Sequence, residues 1–496
     1  MTTLNQVVGA PLARNLNWKS IDWKTVEYHV EKLQLRIAKA VKLGRYRKAK
    51  ALQWLLTHSF YAKLLAVKRV TQNKGKNTPG IDRVIWKTSY QKMQAAKALK
   101  RNGYRSLPLR RIHIPKKNGR LRPLGIPTMK DRAQQALYLL ALEPVAEIKA
   151  DKNSYGFRPK RTCHDAIEQC FKILARNTAP KWILEGDIRS CFDKICHKWL
   201  ENNVMVDKRI LKQWLKAGYI EKDFFYHTES GTPQGGVISP VLSNIALDGL
   251  EQAIKSIAKT GDKINFVRYA DDWICTAKSR EILEQKVQPK VVQFLKERGL
   301  ELSEEKTKIT HIDEGFDFLG FNLRKYKGKL LIKPAKKGIK TFLANLRKVI
   351  RLGRADKVEN LIQTLNLKIQ GWVNYYQYSV AKRTFSYVDT CIFKVLWRWT
   401  KRRHPTKSIR WIKSKYFTQV CLRNWCFYSK AGKDGRNLLL KSAADTRIVR
   451  HVKIKAGATP YDPAFKEYFF QRTVKHRMNR GGGKPAGLNR FSLRKA

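Results

Sequence analysis

The chain has 496 residues, 43% of them hydrophobic, which excludes a disordered polypeptide or a single small module and leads us to expect two to four domains. Lysine and arginine number 102 against 39 acidic residues, a formal charge of +63; a compact body with that excess repels itself unless a polyanion neutralises it, so nucleic acid is the expected partner. No run approaches the roughly 18 apolar residues of a membrane span and no basic-then-apolar signal opens the chain, so no membrane is expected, and eight cysteines without a C-x-x-C pair read as buried thiols of a reducing cytoplasm, not zinc ligands or disulfides.

In chain order, Val26, Val30, Leu33, Leu35, Ile37 and Val41 recur at helical spacing, Gly44 interrupts them, and a second helix is expected from Lys48 to Val70. Residues 1–70 thus read as a helical N-terminal extension. The basic, glycine-containing segment from Asn73 to Asp82, punctuated by Pro79-Gly80, is expected to be a loop, either a plain connector or one that closes over a ligand. From 107 to 325, short β-like runs (RRIHIP, WILEGDI, INFVRYA, DWICTA, KIT, with KLLIK just beyond) alternate with helical patterns such as 127–149 and 281–298, the mark of mixed helix and sheet. Beyond about 330 long helices take over at 335–353, 356–380 and 381–403, the last halted by Pro405. Residues 331–496 hold 39 Lys and Arg against 7 Asp and Glu, so this third of the chain is itself a surface for nucleic acid. A glycine-rich tail from Arg477 is expected to be flexible.

The sharpest chemical feature is Tyr269-Ala270-Asp271-Asp272, set between the apolar runs INFVR and WICTA. It reads as a β-hairpin whose turn presents two adjacent carboxylates, and such charge at a strand junction is costly without a cation to offset it. Upstream, the apolar strand Trp182-Ile183-Leu184-Glu185-Gly186 ends in Asp187 and passes into a turn through Ile188. If the two strands pair, Asp187 meets Asp271 and Asp272 in a set of hard oxygen donors for two Mg²⁺ ions, with Mn²⁺ able to substitute, the arrangement used for phosphoryl transfer. The competing reading of either cluster alone is an Asp-rich surface turn.

With Phe266-Val267-Arg268 before the two aspartates and Asp187 with Phe192-Asp193 upstream, the chain resembles the group II intron-encoded reverse transcriptases. The match extends from Leu107-Pro108-Leu109-Arg110-Arg111, through Ile114-Pro115-Lys116-Lys117-Asn118-Gly119-Arg120-Leu121-Arg122-Pro123, Ser154-Tyr155-Gly156-Phe157-Arg158 and Gly231-Thr232-Pro233-Gln234-Gly235-Gly236, to Leu302-Ser303-Glu304-Glu305-Lys306 and Phe316-Asp317-Phe318-Leu319-Gly320. Lys116, Arg120 and Arg122 are cations able to grip an incoming triphosphate. Gln234 beside two glycines lets the backbone approach a base pair. The resemblance implies that Phe192 is a steric gate that selects deoxynucleotides, although without it Phe192 reads equally as a core residue. It also implies that Phe318, Leu319 and Gly320 form the primer grip, that the loop holding Lys74 and Lys76 contacts template, and that the extension before it binds RNA.

The fold class implied is α+β: a right-hand polymerase with fingers and palm over 71–325, the helical extension at 1–70, a three-helix thumb or maturase domain at 326–420, and a small basic DNA-binding domain and tail at 421–496. Gly371-Trp372-Val373-Asn374-Tyr375-Tyr376 is similar to a maturase signature. Trp397, Arg398, Lys401, Arg402 and Arg403 alternate aromatic faces with cations, a composition suited to structured RNA with unpaired bases, although about half the nearby tryptophans also fit a helix core. Asp445-Thr446-Arg447-Ile448-Val449-Arg450-His451 resembles the family's DNA-binding segment; after Arg472 there is one histidine, His476, and no cysteine, so an H-N-H nuclease is not expected. Two departures from the family pattern are Lys160, where relatives usually have glycine, and Trp273 after the catalytic pair.

The implied function is that of a bacterial RNA-directed DNA polymerase which assists splicing of its group II intron RNA and supports mobility by target-primed reverse transcription. Its expected partners are that RNA, an RNA template with DNA primer, target DNA and dNTPs, within a nucleoid-associated ribonucleoprotein of the cytoplasm. A maturase that only folds RNA would not need the intact carboxylates, and a retron-like or phage-defence enzyme would lack the basic helical C-terminal third. Binding to single strands is expected to weaken with salt, at a log–log slope near about −0.7 per phosphate neutralised. A salt titration of a labelled single strand measures it, and a flat curve contradicts the electrostatic account.

Overall fold

The computed structural model describes residues 17–115, 119, 121–430 and 437–479, so Lys116, Arg120 and the tail beyond 479 lie outside the described residues. The N-terminal layer comprises α1 (Trp23–Lys42), α2 (Tyr46–His58) and α3 (Phe60–Gln72). Asp22 caps α1 by accepting from the Lys24 N–H at 3.0 Å, which satisfies one of the unpaired donors of the first turn. The single helix expected over 48–70 is in fact two. Ser59 adopts an extended backbone (φ −63°, ψ 129°), and its N–H closes α2 on the carbonyls of Leu55 and Leu56. The break redirects α3 onto α5 (Met129–Lys149), while α4 (Ser89–Ala98) starts from a Thr88–Gln91 capping box and packs on α3. Val26, Ile37, Leu56, Val67, Met129 and Leu137 share one core, so the extension has no core of its own and is a layer laid on α5. That helix is buried on nearly every side, as a helix between two layers must be.

Eight strands follow between 109 and 311: β1 (Leu109–Pro115), β2 (Leu121–Ile126), β3 (Trp182–Gly186), β4 (Tyr219–Glu221), β5 (Phe224–Tyr226), β6 (Asn265–Tyr269), β7 (Asp272–Ala277) and β8 (Lys308–His311). They form two sheets, β2-β1-β4-β5 and β6-β7-β3-β8. The second is antiparallel throughout, and its side chains alternate between two cores. Ile183, Val267 and Ile274 face α6 (Cys163–Leu174) and the C-terminal region, whereas Leu184, Phe266, Trp273 and Cys275 face the helices of residues 239–295.

Next come β9 (Phe316–Phe318), β10 (Phe321–Tyr326) and β11 (Lys329–Pro334), then helices Lys336–Leu352, Val358–Tyr376 and Lys382–Arg403, close to the expected bounds. His404 leaves the helical conformation just before Pro405, where a proline disfavours it. A helix at Ile409–Tyr416 and three short strands, β12 (Phe417–Val420), β13 (Arg423–Ser429) and β14 (Leu438–Leu439), were not expected from the sequence. The helix Lys466–Asn479 carries ordered backbone past Arg477, where the flexible tail was expected to begin. All eight cysteines are unpaired; Cys170, Cys191 and Cys275 are buried, but Cys421 is exposed, because it occupies a tight turn at φ +53° between β12 and β13. Among the described residues no helix is long and apolar enough to cross a membrane.

The C-terminal segment is tied to α6 through a buried carboxylate. Asp165 Oδ1 accepts from His451 Nε2 (3.0 Å), Arg472 Nη2 (2.7 Å) and the Ile454 N–H (2.7 Å), while Oδ2 accepts from the Thr162 N–H (2.9 Å). Burial alone would raise its pKa, but the His451 hydrogen bond and the Arg472 charge hold it well below the usual carboxylate range. A carboxylate depressed in this way contributes stability that is present above its unfolded pKa of about 4 and is lost as pH falls below it. Asp165→Ala is expected to cost about 3–5 kcal/mol at neutral pH by stranding Arg472. Denaturant unfolding monitored by circular dichroism measures this, and a loss under about 1 kcal/mol would show that the tie is not structural.

Candidate active site

The register of β3 on β7 pairs Gly186 with Trp273, and β6 pairs Tyr269 with Asp272 across the two-residue turn Ala270-Asp271. Asp187, one residue beyond the end of β3, therefore lies beside that turn, and its charge reaches both Asp271 and Asp272. The close approach depends on Gly186: a Cβ there would fall 2.1 Å from the Trp273 indole, which is 1% exposed. The residue that departs from the family pattern thus fills the space above this glycine.

The turn is held from beneath. Arg268 is fully buried, pairs with Asp248, and donates to the Ala270 carbonyl (3.3 Å) and to Asn244 Oδ1 (3.2 Å). The Tyr155 N–H donates to the Arg268 carbonyl at 2.9 Å, and a Cβ on Gly156 would meet the Ala270 nitrogen at 2.3 Å. Ala270 itself sits at φ +59°, a conformation that costs an L-residue about 1–2 kcal/mol and persists only where the surroundings dictate it.

Burial followed by the like charge of Asp187 raises the Asp271 carboxyl, while Arg122 on β2 and Lys306 act in the opposite direction. Desolvation by the surrounding protein, although part of its surface stays exposed, and then the charges of Asp271 and Asp187 push Asp272 up to about 6. Asp187 Oδ2 is drawn to Lys306 Nζ at 2.6 Å, and its backbone carbonyl accepts from the Ser303 N–H at 2.9 Å. Among the described residues no group of three His, Cys, Asp or Glu side chains is arranged to hold a metal ion. The donor chemistry nevertheless suits a hard divalent cation: the Asp187 charge reaches Asp271 and Asp272, all of them oxygen donors, and Lys306 and Arg122 offset it only in part.

Phe192 and Gln234 are tied together through Thr232 and Asp193. The Thr232 N–H donates to the Phe192 carbonyl (2.6 Å), Gln234 Nε2 donates to both Asp193 oxygens (3.1 and 3.0 Å), and the Gly125 N–H donates to the Gln234 carbonyl (2.8 Å), joining this wall to β2. Phe192 is half-buried and meets the exposed Phe157 edge-to-face at 6.3 Å.

Phe318 and Phe321 pair across the two-residue turn Leu319-Gly320, both at positive φ (49° and 78°), the mirror-image turn that strand twist favours. Its carbonyls are capped from another element: Tyr375 Oη donates to Leu319 O at 2.8 Å and Tyr376 Oη donates to Gly320 O at 3.1 Å. Both tyrosines come from the maturase-like segment Gly371 to Tyr376.

The residues expected to meet RNA are scattered. Lys74 and Lys76 are exposed on a loop that Arg132 anchors through the Gly75 (3.0 Å) and Thr78 (2.6 Å) carbonyls. Arg398, Lys401 and Arg402 are exposed, but Arg403 donates to Asp356 O at 2.9 Å, and Trp397 packs on Phe417 and Trp425.

A reverse transcriptase (RNA-dependent DNA polymerase) family model matches residues 114–323, an N-terminal domain of reverse transcriptase matches 18–99, and a group II intron maturase-specific domain matches 339–417. Protein YkfC of Escherichia coli is 35% identical over 299 residues, spanning 51% of this chain and 78% of that relative. Group II intron-encoded protein LtrA of Lactococcus lactis is 29% identical over 386 residues, or 64% of this chain. The chain belongs to the group II intron-encoded reverse transcriptases and maturases. It joins a reverse transcriptase domain to a maturase-specific domain, and it spans 63% of LtrA, less than two thirds of that relative's length.

In this group II intron reverse transcriptase, sequence reasoning missed Lys306, Arg268 and Asp248 as parts of the site. Lys306 and Arg268 lie inside the matched motifs, and a cation next to a carboxylate motif is the signal that would have found them. A carboxylate whose folded pKa is raised contributes most stability below about 4 and loses it as pH climbs through the folded value. Asp272→Asn is therefore expected to raise the melting temperature in metal-free buffer above about pH 6 and to leave it unchanged near pH 4. Melting scans at the two pH values decide it, and equal melting curves at neutral pH would remove the mutual repulsion.

Proposed function

We propose that the chain extends a DNA primer along an RNA template at Asp187, Asp271 and Asp272, and that its C-terminal helices hold a group II intron RNA during splicing. The observation that carries this reading is the β3–β7 register, which sets the end of one strand against the turn of the neighbouring hairpin. Asp187, Asp271, Asp272 and the Ile188 carbonyl would hold two Mg²⁺ ions, or Mn²⁺ in their place. Such ions would supply Lewis-acid activation for a primer 3′-hydroxyl and positive charge to offset a departing pyrophosphate.

The chain's own groups do the rest. Arg122, with Lys116 and Arg120 shortly before it in the sequence, attracts the triphosphate of the incoming dNTP. Gln234 and Gly235 let the backbone lie close to the new base pair; a Cβ on Gly235 would fall 2.6 Å from Gly125 O. Phe192 turns a flat ring toward the sugar and excludes a 2′-hydroxyl. Phe318, Leu319 and Gly320 hold the primer end, oriented by Tyr375 and Tyr376.

This arrangement is a right-hand polymerase in which 71–325 supplies fingers and palm, 326–420 a thumb that doubles as maturase, and 421–496 a basic surface for target DNA. Lys74, Lys76, Arg398, Lys401 and Arg402 are free to follow phosphates, whereas Trp397 and Arg403 act chiefly by shaping the helix they share. The same protein, as a ribonucleoprotein at the bacterial nucleoid, would copy its intron into target DNA by target-primed reverse transcription.

Replacing Asp271 and Asp272 together by alanine is expected to reduce cDNA synthesis to background while intron RNA binding and splicing at near-physiological salt persist. Primer extension and a splicing assay run on the same preparation separate the two activities. Continued cDNA synthesis would defeat the assignment of the aspartates, and loss of splicing alone would defeat the division of labour.

A further inference from the structure

A cavity of about 190 Å³ lies far along the chain from the aspartates, where the ends of α2 and α3 meet α5 and the loop after α4. Its polar lining includes His58, Lys63, Lys100, Arg101 and Gln134. Arg101 is committed to Asp207 at 2.5 Å, but among the described residues no carboxylate pairs with Lys63 or Lys100. Burial, and then the neighbouring Lys100 charge, pushes the Lys63 ammonium below its ordinary pKa, as happens to a cation lacking a counter-ion.

Gln134 supplies the second half of the argument. Its side chain is 1% exposed, and Nε2 donates to the Lys100 carbonyl at 3.2 Å, which fixes the amide's orientation. Its Oε1 is left as a buried acceptor with no donor in reach. Such groups are uncommon in native folds, because an unmet acceptor forfeits its hydration. Beside the cavity, His58 donates from Nδ1 to the Trp54 carbonyl at 2.8 Å and stacks on the Trp54 indole at 4.2 Å, leaving that indole 59% exposed.

A ligand suited to this place needs an anion for two unpaired ammonium groups, an N–H or O–H for Gln134 Oε1, and a flat face for the Trp54–His58 stack. Simple anions lack the flat face, and apolar molecules lack both polar groups. We propose that this cavity is a nucleotide-binding site distinct from the polymerase centre: Lys63 and Lys100 take the phosphate, Gln134 accepts from a base amine or ribose hydroxyl, and the base rests on the exposed aromatic stack. The nucleotide is either a residue of a bound RNA strand or a free nucleotide.

The test is photocrosslinking of the full-length chain, with peptide mapping of the adducts. One arm uses a short single-stranded RNA containing 5-iodouridine, and the other uses free 5-iodouridine 5′-monophosphate. Adducts on the peptide holding Trp54 and His58 are expected, falling roughly tenfold in Lys63→Gln/Lys100→Gln and in Gln134→Met, the loss of about one buried or charge-assisted hydrogen bond. Melting curves confirm that each variant is folded, and Lys100→Gln alone, at an exposed position, provides a variant that leaves the core intact. Adducts only with the strand assign the site to RNA, and adducts with the monophosphate assign it to free nucleotides. No adduct at this peptide in either arm, or adducts unchanged in both variants, overturns the proposal. Mapping by position keeps this outcome separate from strands bound at the aspartates or on the C-terminal helices.

Discussion

The chemistry proposed for this protein depends on one strand pairing. Because β3 and β7 are in register at Gly186 and Trp273, an aspartate at the end of one strand lies against two aspartates at the turn before the other. Side chains alternate along a strand, so a slip of one residue would swap Ile183 and Leu184 between the two cores and carry Asp187 away from its place beside the turn. The register is fixed by fit: Trp273 needs the bare Cα of Gly186 beneath it, and no other residue type leaves that room. The same alternation divides the sheet's two faces between two hydrophobic cores, so pairing, packing and the meeting of charges are one decision.

Beneath the turn the protein does something costly. Arg268 is withdrawn from water and matched by Asp248, which burial pushes up to about 6 despite the attraction of the guanidinium. Buried ion pairs are weak sources of stability but strong sources of definition, since each partner left alone would be an isolated charge. Here the definition serves a backbone carbonyl in a strained turn, and with Gly156 pressed against its nitrogen, Ala270 has no alternative place to go. The like charge that raises Asp271 and Asp272 is the other side of the same arrangement: carboxylates crowded together carry excess negative charge, the property on which the proposed cation site depends.

Much of this is legible in the residues. The aspartate turn stands out because strict apolar runs flank it on both sides, and the helices from 335 to 403 stand out because their 3.6-residue spacing is long and ends at Pro405. The break at Ser59 is hidden, since apolar periodicity runs straight through it and only packing on α5 decides the bend. Strands β12 and β13 are hidden for a different reason: a register shift between Thr418 and Val420 disrupts the alternation that would announce them. The Lys306–Asp187 pair spans 119 residues, so the motif that carries Lys306 does not name its partner. Trp397 reads from sequence as a stacking platform, yet its neighbours Phe417 and Trp425 come from those unforeseen strands and occupy its ring.

The two tyrosine hydroxyls that reach from the helix Val358–Tyr376 to the Leu319-Gly320 turn make the boundary between copying and splicing porous. A hairpin whose carbonyls are satisfied by a neighbouring domain cannot be transplanted without that neighbour. Descent of such proteins should therefore favour joint inheritance of the two regions over shuffling of independent cassettes, and an engineer seeking a compact enzyme would have to keep this helix even if splicing were of no interest.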